Sequence, residues 1–254
     1  MRLGMIPTVS LTSIRSSYVL VSLRYWDLYE NKYIRFFAGH TAPVGSLSVH
    51  PYEDLLLSGS ADKSALLWDL RKEKPVARFG TKGSSLGAFD HQGLVFALAS
   101  GGQRIHLFDS RAYEKAEFTH FDAPMEGNVA SVRFSPCGKF ILLSSDRGEV
   151  LCLDSFKGKL IAGYSGDSGS VLKSEERASP CFSPDSQYVL CGTSKGSVKV
   201  WRTVAPLVGG RLETQQVASL EGHSGFPRIV RFNPVRCLLA TSCVTTALWL
   251  PTNL

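Results

Sequence analysis

Five times along this chain a polar turn is followed by an apolar run of strand length, and no other feature restricts the fold as strongly. The turns read VHPYED (49–54), FDHQG (89–93), FSPCGK (134–139), FSPDSQ (182–187) and FNPVR (232–236). The runs behind them, DLLLSGS, LVFALAS, FILLSS, YVLCGTS and CLLATSC, are β-branched or Leu-rich. A second run then closes each unit on an aromatic residue or leucine: LLWD, LFD, CLD, VKVW and ALWL. The register is tight, since Pro51 to Trp68, His91 to Phe108, Pro136 to Leu153 and Pro184 to Trp201 are each 17 residues, and Pro234 to Trp249 is 15. With an earlier close in RYWDL (24–28), the repeat ends fall near 26, 68, 108, 153, 201 and 249, at intervals of 42, 40, 45, 48 and 48. A period of this size belongs to four-stranded units that stack because none can bury its faces alone.

Composition permits such an array and excludes others. At 254 residues and 44% hydrophobic content the chain can bury a sizeable core. No run approaches the roughly 18 apolar residues of a membrane-spanning helix, so no membrane partner is expected. The net charge of +6 falls to +3 over residues 27–254, because Arg2, Arg15 and Arg24 face no acid before Asp27. A body so mildly basic gives little ground for direct nucleic-acid binding. Six cysteines without C-x-x-C spacing read as reduced core thiols of an intracellular protein, with no metal or other cofactor expected. The first 23 residues, Ser/Thr-rich and free of acid, leave two readings open, an organelle-targeting segment or an unstructured start.

Two stretches carry residue types of a hydrolase. SGSADKSALLWDLR (58–71) follows Gly39-His40 and places Ser58, Asp62 and Trp68 within eleven residues. Catalysis would need the hydroxyl open to a cleft beside an oxyanion site, whereas Ser58 is expected in mid-strand against a tryptophan. GDSGS (166–170) is similar to the nucleophile loop of trypsin-like proteases, yet it sits in a Gly/Ser-rich stretch between repeats and reads as a connector.

The order GH, x-P turn, SGSxD and LWD resembles the WD-repeat β-propellers, over roughly residues 20–251. The resemblance implies an all-β propeller over 21–254 after a non-propeller stretch at 1–20, with about five full blades and a partial one. It implies a buried line of hydrogen bonds through His40, Ser58, Asp62 and Trp68, and a partial line through His223, Thr241 and Trp249. Gly102, Arg147 and Lys195 replace the aspartate in the middle repeats. DLYENKYIRFFAGH (27–40), KSALLWDLR (63–71), DSFKGKL (154–160) and ALWLP (247–251) further resemble the WD-repeat subunits of COMPASS-type histone methyltransferase complexes. Members of that group begin with a further blade and most of another, so this chain reads either as N-terminally truncated or as a ring that must close in an unusual way.

That resemblance implies a nuclear, non-enzymatic adaptor, with cytoplasm or mitochondrion as alternatives. Its implied partners are a histone methyltransferase catalytic subunit, phosphatase-targeting or polyadenylation-factor subunits, and the phosphorylated tail of RNA polymerase II. From the residues themselves, the turn between the second and third strands carries a cation in four consecutive repeats: Lys63, Arg104, Arg147 and Lys195. Such a crescent suits an acidic or phosphorylated peptide, although exposed turns are commonly charged for solubility alone.

Overall fold

The computed structural model describes residues 8–11, 22–165, 178–204, 207–208, 211–212 and 214–251. These residues are all-β. Sheet 1 holds β1 (Thr8–Leu11), β2 (Leu23–Asp27) and β3 (Lys32–Phe37); sheet 2 holds β4 (Val44–Val49), β5 (Leu55–Ser60), β6 (Ser64–Asp69) and β7 (Pro75–Gly80). Sheet 3 comprises β8 (Ser85–Phe89), β9 (Val95–Ser100), β10 (Arg104–Asp109) and β11 (Thr119–Asp122). Sheet 4 comprises β12 (Val129–Phe134), β13 (Phe140–Ser145), β14 (Glu149–Asp154) and β15 (Leu160–Ser165). Sheet 5 runs β16 (Cys181–Phe182), β17 (Tyr188–Gly192), β18 (Ser197–Arg202) and, after a small hairpin of β19 (Leu207–Val208) and β20 (Arg211–Leu212), β21 (Gln216–Glu221). Sheet 6 has β22 (Ile229–Phe232), β23 (Leu239–Ser242) and β24 (Thr246–Trp249). Every strand pair in these sheets is antiparallel, and no helix among the described residues is long and apolar enough to cross a membrane.

The boundary expected at residue 20 is crossed by β1. Thr8–Leu11 pair with β2 in a register running from Thr8↔Trp26 to Leu11↔Leu23, so part of the N-terminal stretch extends the first sheet. GDSGS (166–170) lies outside the described residues.

The apolar runs are continuous because the middle strands are covered on both faces. β5 is buried from Leu56 on and β6 is buried throughout, while the outer strands β7 and β21 alternate with solvent. Side chains of a strand point to opposite faces in turn. Thus Leu56, Leu66 and Trp68 pack with Leu23 and Phe37 of sheet 1, whereas Leu57, Ala65 and Leu67 pack with Phe96, Leu98 and Phe108 of sheet 3. Phe96 and Phe108 stack with centroids 5.1 Å apart. Further cores join sheets 3 and 4 through Ile105 and Ile141, 4 and 5 through Val150 and Trp201, and 5 and 6 through Val198 and Val230. Full burial of one such side chain is worth about 1.5–3 kcal/mol.

Serines bolt the inner strands together. Ser46 and Ser48 of β4 accept the Gly87 and Phe89 amides of β8 at 2.9 and 3.0 Å. These bonds satisfy backbone groups on an inner edge that has no further strand to pair with. Inner strands of sheets 2 to 6 together line one central channel of about 710 Å³. That is the geometry of a propeller.

The repeated turns explain their own composition. Gly93, Gly138 and Ser186 hold the same place in three of them and share a left-handed backbone, with φ of 70°, 72° and 61°. Gly93 also offers its carbonyl to His50 Nε2 at 2.8 Å, tying the turn of sheet 3 to that of sheet 2. A Cβ at Gly93 would collide with the His50 ring. Gly93→Ala should therefore cost about 1–3 kcal/mol in urea unfolding, from strain and a broken tie together.

Candidate functional site

Four side chains of sheet 2 form one buried line. Trp68 Nε1 donates to Ser58 Oγ at 2.8 Å, Ser58 Oγ meets His40 Nε2 at 2.8 Å, and His40 Nδ1 meets Asp62 Oδ2 at 2.8 Å. Indole only donates and carboxylate only accepts, so the hydrogens can all point from Trp68 toward Asp62. Register places Ser58 opposite Leu66 on neighbouring strands, two residues from Trp68, so the hydroxyl lies beside the indole. Ser58 and Trp68 are wholly buried. A hydroxyl so enclosed and already bonded to an indole has no access to substrate, and the serine braces the blade.

Asp62 also organises the turn. Its carboxylate accepts the Thr41 and Ser64 amides, each at 3.0 Å, and the Ser64 hydroxyl at 2.6 Å. Burial alone would raise its pKa, but hydrogen bonds from Ser64, Thr41 and His40, with the charge of His40, outweigh it and hold the group at about 2.

The second line differs from expectation at its end. His223 Nε2 lies 2.6 Å from Thr241 Oγ1, which receives Trp249 Nε1 at 2.7 Å, as in sheet 2. Where the shortened turn leaves no aspartate, Cys243 Sγ stands 3.2 Å from His223 Nδ1. The spacing of His223, Thr241 and Trp249 marked the line in the sequence, but nothing marked a thiol as its terminus. The Cys243 thiol is drawn down to about 7, first by the Thr245 amide and then by the Thr245 hydroxyl and His223. Sheet 4 improvises differently, with Asp146 accepting the Asn128 amide at 2.9 Å.

The six cysteines do not all lie in the core. Cys152, Cys181 and Cys191 are buried, whereas Cys137 and Cys237 are exposed, because both occupy turns between strands. Burial pushes the Cys152 thiol up to about 12. Among the described residues no group of three or more His, Cys, Asp or Glu gathers to hold a metal.

The four turn cations hold unlike places. Arg147 and Lys195 stand in the aspartate column, Lys63 follows it with φ of 63°, and Arg104 opens β10. Arg104 pairs with Asp122 through bonds of 2.9 and 3.2 Å, and Arg147 Nη1 meets Glu126 at 3.1 Å. Sequence reasoning missed these pairs because Asp122 and Glu126 belong to other strands and loops.

Three outcomes follow from the lines. Asp62→Ala should cost about 1–3 kcal/mol by stranding His40 and Ser64. Because the folded pKa of Asp62 is depressed, its contribution is complete above about pH 5, where the unfolded carboxyl is ionised, and fades as pH falls towards 2. The stability gap between wild type and Asp62→Asn should accordingly narrow across that acid range in urea titrations. Iodoacetamide should label Cys243 increasingly as pH rises through 7, with Cys152 unreacted, as read by peptide mass spectrometry.

Comparison with known proteins agrees with this architecture. The family described as WD domain, G-beta repeat matches residues 31–69 and 158–202. WD repeat-containing protein 82 of Drosophila melanogaster is 35% identical over 238 residues, covering 91% of this chain and 71% of that protein. The COMPASS component SWD2 of Saccharomyces cerevisiae is 30% identical, covering 87% and 68%. A chain in a crystal structure of the mitotic checkpoint complex superposes with a TM-score of 0.69 at 18% identity, over 87% of this chain and 65% of its own length, and speaks for the fold alone. The chain belongs to the WD-repeat β-propeller family, in the group that contains WD repeat-containing protein 82 and COMPASS component SWD2.

Proposed function

We propose that this chain is a non-catalytic scaffold subunit of nuclear complexes acting on chromatin and transcription, of the COMPASS type. The observation that carries the proposal is similarity to a COMPASS component along 87% of the chain. The physical structure supports a scaffold: its polar lines are buried and spent on holding blades, which leaves rims and turns to meet partners. Its partners in this reading are a histone methyltransferase catalytic subunit and, in related assemblies, phosphatase-targeting or polyadenylation-factor subunits. Affinity purification from nuclear extract with mass spectrometry should return a methyltransferase catalytic subunit. Recovery of 3′-end processing factors alone would favour that other assembly, and recovery of mitochondrial proteins alone would overturn a nuclear role.

The finer element is recognition of the phosphorylated tail of RNA polymerase II by Lys63, Arg104, Arg147 and Lys195. All four sit at or beside the turn between second and third strands, the same end of four stacked sheets. Arg104 and Arg147 would exchange a surface carboxylate for a phosphate, a trade favoured by the greater charge of the phosphate. Reversing all four charges to Glu should weaken a phosphorylated tail peptide at least about tenfold in fluorescence anisotropy, equivalent to about 1.4 kcal/mol. Unchanged affinity would remove these residues from the role.

A further inference from the structure

The central channel contains a cationic cluster that neither the blades nor the proposed partners account for. Arg133 of β12 and Arg231 of β22 both line it, each within the same tripeptide, Val-Arg-Phe, at the end of an inner strand. They converge on one residue. Arg231 Nη2 donates to Ser179 Oγ at 3.0 Å and Arg133 Nη2 reaches the same oxygen at 3.5 Å, while Arg231 Nη1 donates to the Ser179 and Val230 carbonyls at 3.3 and 2.6 Å. Ser179 is itself held by a bridge to Ile229, with its amide on the Arg228 carbonyl at 2.8 Å. The hydroxyl is thus fixed by backbone, and the two guanidinium groups are fixed around it.

Among the described residues that line the channel none is Asp or Glu, and those other than the two arginines are serine, small or apolar, apart from Cys181. The Cys181 thiol is pushed up by burial to about 11, so it is uncharged at neutral pH. Arg133 Nε is buried with no hydrogen-bond partner among the described residues. Burial, and then the neighbouring Arg231, lowers the Arg133 pKa to about 10, which still leaves it charged at neutral pH. Two partly buried like charges, one of them with an unused buried donor, are costly unless an anion joins them. A planar fork of N–H groups is matched by the oxygens of a phosphate, and the channel's 710 Å³ has room for a phosphate with an attached group.

We propose that the central channel is a binding site for a phosphate-type oxyanion, held by Arg133 and Arg231 with Ser179 between them. The source is a free small phosphate or a phosphorylated side chain entering the channel, and the chemistry at the arginines is the same. None of the four turn cations lines the channel, so this site is separate from the proposed peptide crescent and does not depend on it.

Thermal unfolding of the whole chain in inorganic phosphate, against chloride at equal ionic strength, reads the free-ion arm; titration with a phosphoserine peptide and its unphosphorylated twin reads the other. Phosphate, or the phosphopeptide alone, should raise Tm in wild type. Arg133→Gln and Arg231→Gln should each weaken that response at least tenfold, and in Arg133→Gln the Tm without phosphate should stay level or rise because a like charge has gone. Rising basal Tm with lost response separates anion binding from misfolding. Arg71→Gln, altering a surface ion pair with Asp69 away from the channel, should keep the full response. Equal Tm shifts in phosphate and chloride with no effect of the phosphopeptide, or a response that survives in Arg133→Gln/Arg231→Gln, would overturn the proposal.

Discussion

Each of the middle sheets of this molecule carries two apolar faces, and none can cover either with its own strands. Leu56 and Leu57 are adjacent in one strand yet belong to different cores, one facing sheet 1 and the other sheet 3. Stacking is the arrangement that removes both from water, and it forces the order of sheets to follow the order of the chain. The other features answer to that demand. Inner edges brought together around an axis must satisfy their backbone groups, which Ser46 and Ser48 do for Gly87 and Phe89. Turns brought beside one another must interlock, which His50 does with Gly93.

Within a blade, polar groups have the same problem on a smaller scale. An indole N–H, a hydroxyl and an imidazole are buried between strands, and each must find a partner. Sheet 2 closes the series on a carboxylate, whereas sheet 6 closes it on a thiol. The exchange keeps geometry and changes chemistry, because a carboxylate near pKa 2 is ionised at any physiological pH and a thiol near 7 is not. Sheet 4 lacks the histidine and ties its turn with Asp146 instead. Degeneracy of the motif is therefore replacement of parts, with the burial constraint retained.

The channel is a consequence of stacking that no single blade contains. Inner strands from five sheets converge there, and whatever side chains precede their final residue share one enclosure. At that position Ala88 adds no charge, and Arg133 and Arg231 add two. The resulting field belongs to the assembly of sheets and to none of them separately.

The sequence by itself determined the repeat. A 17-residue register from polar turn to closing aromatic or leucine, with an apolar run of strand length behind each turn, pointed to stacked four-stranded units, and so to an all-β array. His40, Ser58, Asp62 and Trp68 were legible because their spacing within one unit sets their contacts. Contacts between units were not legible, since they depend on how far each sheet is turned against the next. Only the tertiary structure paired Arg104 with Asp122, drew Thr8–Leu11 onto the first sheet, put Cys243 at the end of a polar line and set two arginines 98 residues apart around Ser179. The physical reason is common to all four: short-range periodicity fixes which way a side chain leaves its strand, and only packing decides what it meets.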